Sequence, residues 1–436
     1  MTNSPKANPS GVFPPPRLVV VVGPRPAVEL PEVDPFCGVT SRSTGEQPAR
    51  DGLAVGDRHM PPMRRKPVIN VHCHLLNFDF VPDKTIKLLT GIPEDIAEEE
   101  WVSAVAGVVF ALVPGKTYNR VCEYLTTFRS DIVTVARRYL QDMDRARIDT
   151  CAPLMMDLEQ SVPRNGDDEN VPYREQIDAV SLLVATYPWR VFPFVMFDPR
   201  RPDAADLCID ALTNKGFVGV KMYPALGYHP SPRAAWQRNV PGHVVDNLKK
   251  LYSHCADGRV PITAHASVGG AYSVGADDKE TGVWPLTEVS NWLDPLREYR
   301  LKINFAHLGG NYLHEDGAKR LQSATWRREI LNWIARSGTD PDFGSVYGDL
   351  SYHDMALCRD TAARYFGDLR EVMENADTAR GVLFGTDASM ISHTWTEAEY
   401  ARPFRNTKKL DDPAKELIFS DNPTRFLFGE GRIPES

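Results

Sequence analysis

A chain of 436 residues, 42% of them hydrophobic, can bury a large core; about 150 residues per domain suggests roughly three domains, unless an α/β barrel takes the whole length. Fifty lysines and arginines against 58 aspartates and glutamates give a net charge of −8, which argues against a nucleic-acid or anionic-membrane binder. Apolar stretches such as Leu18–Val22 and Trp101–Val113 are too short to span a bilayer.

Residues 1–66 hold 12 of the 35 prolines, including Pro14-Pro15-Pro16, and no sustained helical period. Such a segment buries too little apolar surface to offset its ordering entropy, so it reads as a flexible or extended arm. Within it, Arg17–Val22 could pair as a strand; an arm lying along the domain surface is equally open. No charged segment followed by an apolar run opens the sequence, and the seven cysteines are scattered without C-x-x-C spacing. Both features lead us to expect a cytoplasmic protein.

From Lys66 onward, β-branched apolar runs alternate with amphipathic stretches. The runs are Val68–His74, Thr150–Met156, Arg190–Phe197, Phe217–Tyr223, Val260–His265, Leu301–His307, Ser345–Leu350 and Gly381–Thr386. Helical patterns lie between them, at Gln176–Tyr187, Val244–Ala256, Ala318–Ser337 and Asp360–Asn375. Near-continuous apolar strands alternating with helices predict a parallel sheet covered on both faces, and eight such units predict a (β/α)8 TIM barrel over residues 67–436. A doubly wound open sheet is the competing α/β arrangement. One connection is anomalous. Residues 82–148 form a long insertion after strand 1, with an acidic helix start at Ile92-Pro93-Glu94-Asp95, the apolar Trp101–Val113 and a helical pattern over Tyr118–Asp144. It would leave the face where barrel chemistry sits, as a lid, a homodimer contact or a packed decorative subdomain.

The motifs of serine hydrolases, P-loop proteins, dinucleotide binders and zincins are absent. The first run instead ends V-I-N-V-H-C-H. Side chains alternate along a strand, so His72 and His74 share a face and Cys73 points to the helix layer. Two imidazoles about 6.6 Å apart can converge on one divalent ion. Other runs also close on a charged or ligating residue. Lys221 ends the fourth, His265 the fifth, His307 the sixth and Asp387 the eighth. In a barrel these ends meet around the central axis. Asp157, Asp198, Arg200, Tyr223, His353, Ser389 and His393 lie just past strand ends, where they are substrate candidates; His59, His229, His243, His254 and His314 read as surface or capping residues.

This ordered set resembles the amidohydrolase superfamily, and within it the amidohydrolase-related branch that includes aminocarboxymuconate-semialdehyde decarboxylase-like enzymes. The likeness runs from about Val68 to Gly429. It includes M-D-R-A-R-I-D at Met143–Asp149 and D-N-P-T-R-F-L-F-G at Asp421–Gly429. It implies that His72, His74, His265 and Asp387 hold one divalent metal, with Zn²⁺ the expected ion. It further implies that Asp387 accepts and returns a proton, and that His307 orients or protonates the substrate or assists the activated water. In binuclear relatives a fourth-strand lysine is carbamylated and bridges two ions. Lys221 and His307 would then be ligands too; an unmodified Lys221 would face a substrate carboxylate, with Tyr223 and Arg200 as further substrate contacts. The resemblance therefore implies a metal-dependent hydrolase acting on an amide, lactone or ester of a small acidic or cyclic compound. A non-oxidative decarboxylase of an unsaturated or aromatic carboxylate is the closest rival, and a catalytically inactive binding barrel a third reading. A small-molecule substrate, no nucleic acid and no membrane complete the expectation.

Overall fold

A computed structural model describes residues 66–80, 126–160, 171–238, 240–268, 285–313, 315, 317–392 and 394–429. Eight parallel strands stand at the eight apolar runs: β1 (Ile69–Cys73), β2 (Thr150–Pro153), β3 (Phe194–Phe197), β4 (Gly219–Met222), β5 (Pro261–Ala264), β6 (Lys302–Phe305), β7 (Ser345–Asp349) and β8 (Val382–Leu383). β1 pairs with β2, and β3 to β8 pair in sequence order. Bridges Cys151↔Val191 and Leu154↔Phe194 join β2 to the start of β3, while Cys73↔Ala388 joins β1 to the chain leaving β8. The hydrogen bonds from Val71 N to Phe384 O (3.0 Å) and from His74 N to Ala388 O (2.9 Å) complete the seam. This is the (β/α)8 barrel, closed edge to edge.

The helix layer follows from the apolar stripes between the strands. α1 (Ile132–Ala146) buries Ile132, Val135, Ala136, Tyr139, Leu140 and Met143, one face at helical spacing, and is capped by Asp131 accepting from Thr134 N. The predicted helices appear as α2 (Tyr173–Thr186), α4 (Gly242–Gly258), α5 (Gly317–Ser337) and α6 (Arg359–Glu374), with α3 (Ala204–Asn214) between β3 and β4. α7 (Glu397–Asn406) opens on a capping box of Thr396 and Glu399, which fixes where its first residue points.

The last helix, α8 (Asn422–Phe428), closes the barrel floor. Phe426 and Leu427 pack with Ile69, Val71, Ala152, Leu154, Phe194, Tyr347 and Leu383, residues of β1, β2, β3, β7 and β8 and the chain just after β2. The Phe426 ring stacks on Phe194 at 6.1 Å between centroids. Gly219 is required beside them, because a Cβ there would enter the Phe194 ring. With the floor filled, the C-terminal strand ends are left for chemistry.

Among the described residues, no helix is long and apolar enough to cross a membrane. The arm up to Arg65 and the insertion up to residue 125, with Trp101–Val113, lie outside the described residues, as do His59, His314 and His393.

Candidate active site

β1 carries a bulge. Asn70 pairs with Cys151 and Cys73 with Pro153, so Val71 and His72 together oppose one residue of β2. Strict alternation would place His72 on the face opposite Val71. The bulge instead leaves Val71 in the barrel floor and turns His72 and His74 to the barrel's upper interior. Cys73 then faces outward beside Tyr139 of α1 and Cys151. The extra His72 N–H is taken by Asn70 Oδ1 at 3.1 Å.

Three histidines are oriented through the same ring atom. His72 Nδ1 lies 3.0 Å from Asp349 Oδ2, His74 Nδ1 2.8 Å from the Leu154 carbonyl, and His307 Nδ1 3.2 Å from the Ser351 carbonyl. An acceptor at Nδ1 requires the proton there, which leaves each Nε2 lone pair for the site. His72 Nε2 (3.3 Å) and His74 Nε2 (3.0 Å) both approach Asp387 Oδ1. That oxygen is buried and has no hydrogen-bond partner among the described residues. A buried carboxylate oxygen facing two imidazole nitrogens, none of them paired by a hydrogen bond, is the donor set of a divalent cation; the ligand atoms of His72, His74 and Asp387 lie within 4.8 Å of one another.

Burial opposes ionisation of Asp387, but His72 and His74 outweigh it and hold its pKa well below the carboxylate range. Burial lowers His74, and takes His307 down to about 4, so His307 is neutral near pH 7. For His72, burial is outweighed by Asp349 and Asp387, which raise its pKa. Asp349 closes β7 and was missed in the sequence, although it ends its strand as Asp387 follows the end of β8. It accepts from Asn304 Nδ2 (2.6 Å), His307 N (3.1 Å) and Ser351 N (3.1 Å) besides His72 and the Ser351 hydroxyl. Asn304 and Ser351, likewise unforeseen, complete this bed under the histidines. The backbone is held in the left-handed region at His307 (φ 62°), Leu308 (φ 44°), Asp387 (φ 63°) and Ser389 (φ 72°), strain of a kind that collects at functional sites.

The site opens into a cavity of about 540 Å³ whose lining includes His72, His74, His265, His307, Asp387 and Lys221. All six sequence candidates for metal or catalysis therefore meet. His265 stands apart from the tight trio of ligand atoms; its ring stacks on Tyr223 at 4.1 Å and meets the His307 ring edge-on at 5.1 Å. Lys221 is 1% exposed, and burial brings its ammonium down to about 8. Its Nζ is 5.5 Å from the centre of the Tyr223 ring, which also lines the cavity. No carboxylate among the described residues lies within ion-pair distance of it.

Other candidates sit elsewhere. Arg200 is not in the cavity wall; its guanidinium is folded onto Asp198, two residues back, at 2.5 Å. Asp157 is paired with Arg201 at 2.8 Å. His353 is buried between the His307 carbonyl (2.7 Å) and the Tyr365 hydroxyl (3.0 Å), and the Ser389 hydroxyl donates to the His74 carbonyl. His353 and Ser389 thus brace His307 and His74 from outside the cavity wall, and Asp157, like Arg200, is held in an ion pair away from it. His229, expected at the surface or as a cap, is 8% exposed, and its Nδ1 accepts from Ser231 N at 3.0 Å. The expectation overlooked that the turn before a helix can bury its own acceptor.

Residues 69–429 match the family described as Amidohydrolase. Among solved structures, the chain is similar to 5-carboxyvanillate decarboxylase from Novosphingobium aromaticivorans, complexed with manganese and 4-hydroxy-3-methoxy-5-nitrobenzoic acid (12% identity, 85% of this chain and 98% of that chain, TM-score 0.53). It is also similar to 2,6-dihydroxybenzoate decarboxylase from Rhizobium (14%, 83% and 99%, TM-score 0.48) and to a probable 2-pyrone-4,6-dicarboxylic acid hydrolase from Acinetobacter baumannii (12%, 83% and 98%, TM-score 0.47). At 12% identity the likeness to the first of these is one of fold. No curated protein matches the sequence.

Proposed function

The chain belongs to the amidohydrolase family, and from that premise we propose that it is a metal-dependent hydrolase of an amide, lactone or ester bond in a small, carboxylate-bearing compound. The observation that carries the reading is the convergence of bare His72 and His74 Nε2 atoms on an unpartnered Asp387 oxygen at a 540 Å³ cavity. A divalent ion, which we take to be a single zinc from the nitrogen-rich donor set, would supply Lewis-acid activation of water and of the scissile carbonyl when bound. His72, His74 and Asp387 would hold it, with His265 as the further ligand across the cavity.

The protein's own groups then divide the work. With Nδ1 turned to Ser351, His307 presents Nε2 as a proton acceptor, which suits removing a proton from the attacking water. Asp387, ionised, is the second acceptor: it takes the proton left on the attacking oxygen after addition and passes it to the leaving group. Lys221, read as unmodified, keeps a positive charge near pH 7 without a carboxylate of its own and would bind the substrate's. At about 4 Å such a pair gains on the order of 4 kcal/mol at an effective dielectric of 20.

Decarboxylation on the same site would need a proton delivered to carbon, and the proton that Asp387 passes to a leaving group in hydrolysis would serve there too, so the assay decides between the two reactions. The test is a panel of lactones, esters and amides bearing carboxylates, run beside the parent aromatic and unsaturated carboxylates. Hydrolytic product without carbon dioxide is expected. Carbon dioxide release without hydrolysis would replace the hydrolase reading with the lyase, and a metal-loaded chain inert to the whole panel would favour the binding-protein reading.

A further inference from the structure

The candidate ligands on β1 and after β8 share a support that lies outside the cavity. Glu397, the first residue of α7, is 2% exposed and meets three groups through Oε1 alone: Tyr139 Oη at 2.9 Å, Thr386 Oγ1 at 2.8 Å and Asn70 Nδ2 at 3.3 Å. Its Oε2 has no hydrogen-bond partner among the described residues. Two of the groups it holds, Asn70 and Thr386, bear on the site. Asn70 Oδ1 accepts the His72 N–H at 3.1 Å and the Thr386 N–H at 3.2 Å, so one amide spans the bulge of β1 and the end of β8. Asn70 Nδ2 also donates to Thr386 Oγ1 at 2.8 Å. Thr386 Oγ1 in turn accepts the Ala388 N–H at 3.1 Å. Asp387 is therefore tied on both sides, and its own N–H goes to the His72 carbonyl at 2.8 Å. Its left-handed φ of 63° needs such restraint, because that conformation is unfavourable for a residue with a side chain.

We propose that Glu397 is a positioning residue for the metal centre, fixing through Asn70 and Thr386 both the β1 bulge that turns His72 inward and the left-handed turn that presents Asp387. The inference rests on the metal-site reading above. Glu397 touches neither cavity nor ligand atoms, so its effect passes entirely through backbone geometry. A misplacement of about 1 Å in one ligand is enough to weaken a metal site, and supporting groups of this kind are worth about 10–100-fold in affinity. Oε1 acts as an acceptor only, so a neutral amide oxygen can replace it.

The test is the dissociation constant for Mn²⁺ or Zn²⁺, by chelator competition, of the full chain and of Glu397→Ala and Glu397→Gln, at a temperature where circular dichroism shows all three folded. Glu397→Ala should weaken affinity about 10–100-fold, and Glu397→Gln should stay within about threefold of the unmodified chain. A purely structural role would lower the melting temperature and leave the dissociation constant alone. Unchanged affinity in Glu397→Ala, or equal weakening in both variants, overturns the inference. If Glu397→Ala does not fold, Thr386→Val decides: it removes the hydroxyl that holds Ala388 N and reaches Glu397, and affinity within about threefold overturns the proposal. Failure of the unmodified chain to bind either ion would instead remove the metal-site reading, and the inference with it.

Discussion

Replacing Asp349 by asparagine tests the claim that the histidine tautomers are set from behind. Asp349 Oδ1 accepts from His307 N, Ser351 N and the Ser351 hydroxyl, and Oδ2 accepts from His72 Nδ1 and Asn304 Nδ2. In Asp349→Asn the amide oxygen can serve only one of these sides. Kept at the Oδ1 position, it leaves an NH₂ facing two donors, the nearer at 2.6 Å. His72 can relieve this only by moving its proton to Nε2, which removes the lone pair aimed at Asp387. Two hydrogen bonds to a charged acceptor, at about 1.5–3 kcal/mol each, put the stability loss at about 3–6 kcal/mol. Metal affinity should fall by about 10–100-fold or more, as for other groups that orient a ligand. Urea denaturation and chelator competition with Zn²⁺ or Mn²⁺ measure the two effects. Unaltered metal affinity in a folded Asp349→Asn chain would refute the tautomer argument.

Three further outcomes follow from the same geometry. Gly385→Ala would put a Cβ 2.8 Å from His72 Cβ and 3.4 Å from Asp349 Oδ1, so it should lower metal affinity although glycine offers no ligand; wild-type binding would contradict the close packing of the site. Lys221→Met should raise KM for carboxylate substrates at least about tenfold while metal content, read by mass spectrometry, stays constant; loss of metal instead would show Lys221 to be a ligand. Burial lifts the Glu397 carboxyl from 4.5 to about 7, against the hydrogen bonds from Thr386 and Tyr139. Its folded pKa is raised, so its contribution is complete below about pH 4.5 and is lost as the pH climbs to about 7, by up to about 3 kcal/mol. Glu397→Gln should remove that slope from stability curves over this window, and an identical slope in the variant would show that another group titrates there.

The strands were legible because a parallel sheet buried on both faces writes itself as continuous apolar runs, and the residue closing each run projects to one end of the barrel. Lys221, His265, His307 and Asp387 were found that way. The β1 bulge was not legible: it depends on Asn70, whose partners Tyr139, Thr386 and Glu397 are 69, 316 and 327 residues away. The H-x-H pair survived the bulge because Cys73 lies between the two histidines beyond it. Asp349 carried the same strand-end signal as the others in S-V-Y-G-D-L, yet its role is to hold a ligand's far nitrogen, which no spacing rule encodes. Arg200 read as a substrate contact from its place after β3; the D-P-R order, which lets Asp198 capture it two residues on, was the overlooked signal.

The central claim is that His72, His74 and Asp387 form the heart of a single divalent-metal centre. Its most direct test is metal stoichiometry by mass spectrometry for the unmodified chain and for Asp387→Asn, each dialysed against chelator and reloaded with zinc. The unmodified chain should regain about one tight ion, as a set of imidazole and carboxylate donors that leaves one position for water requires, and Asp387→Asn should retain essentially none while keeping its fold. Equal zinc in both chains, or none in either, would contradict the account.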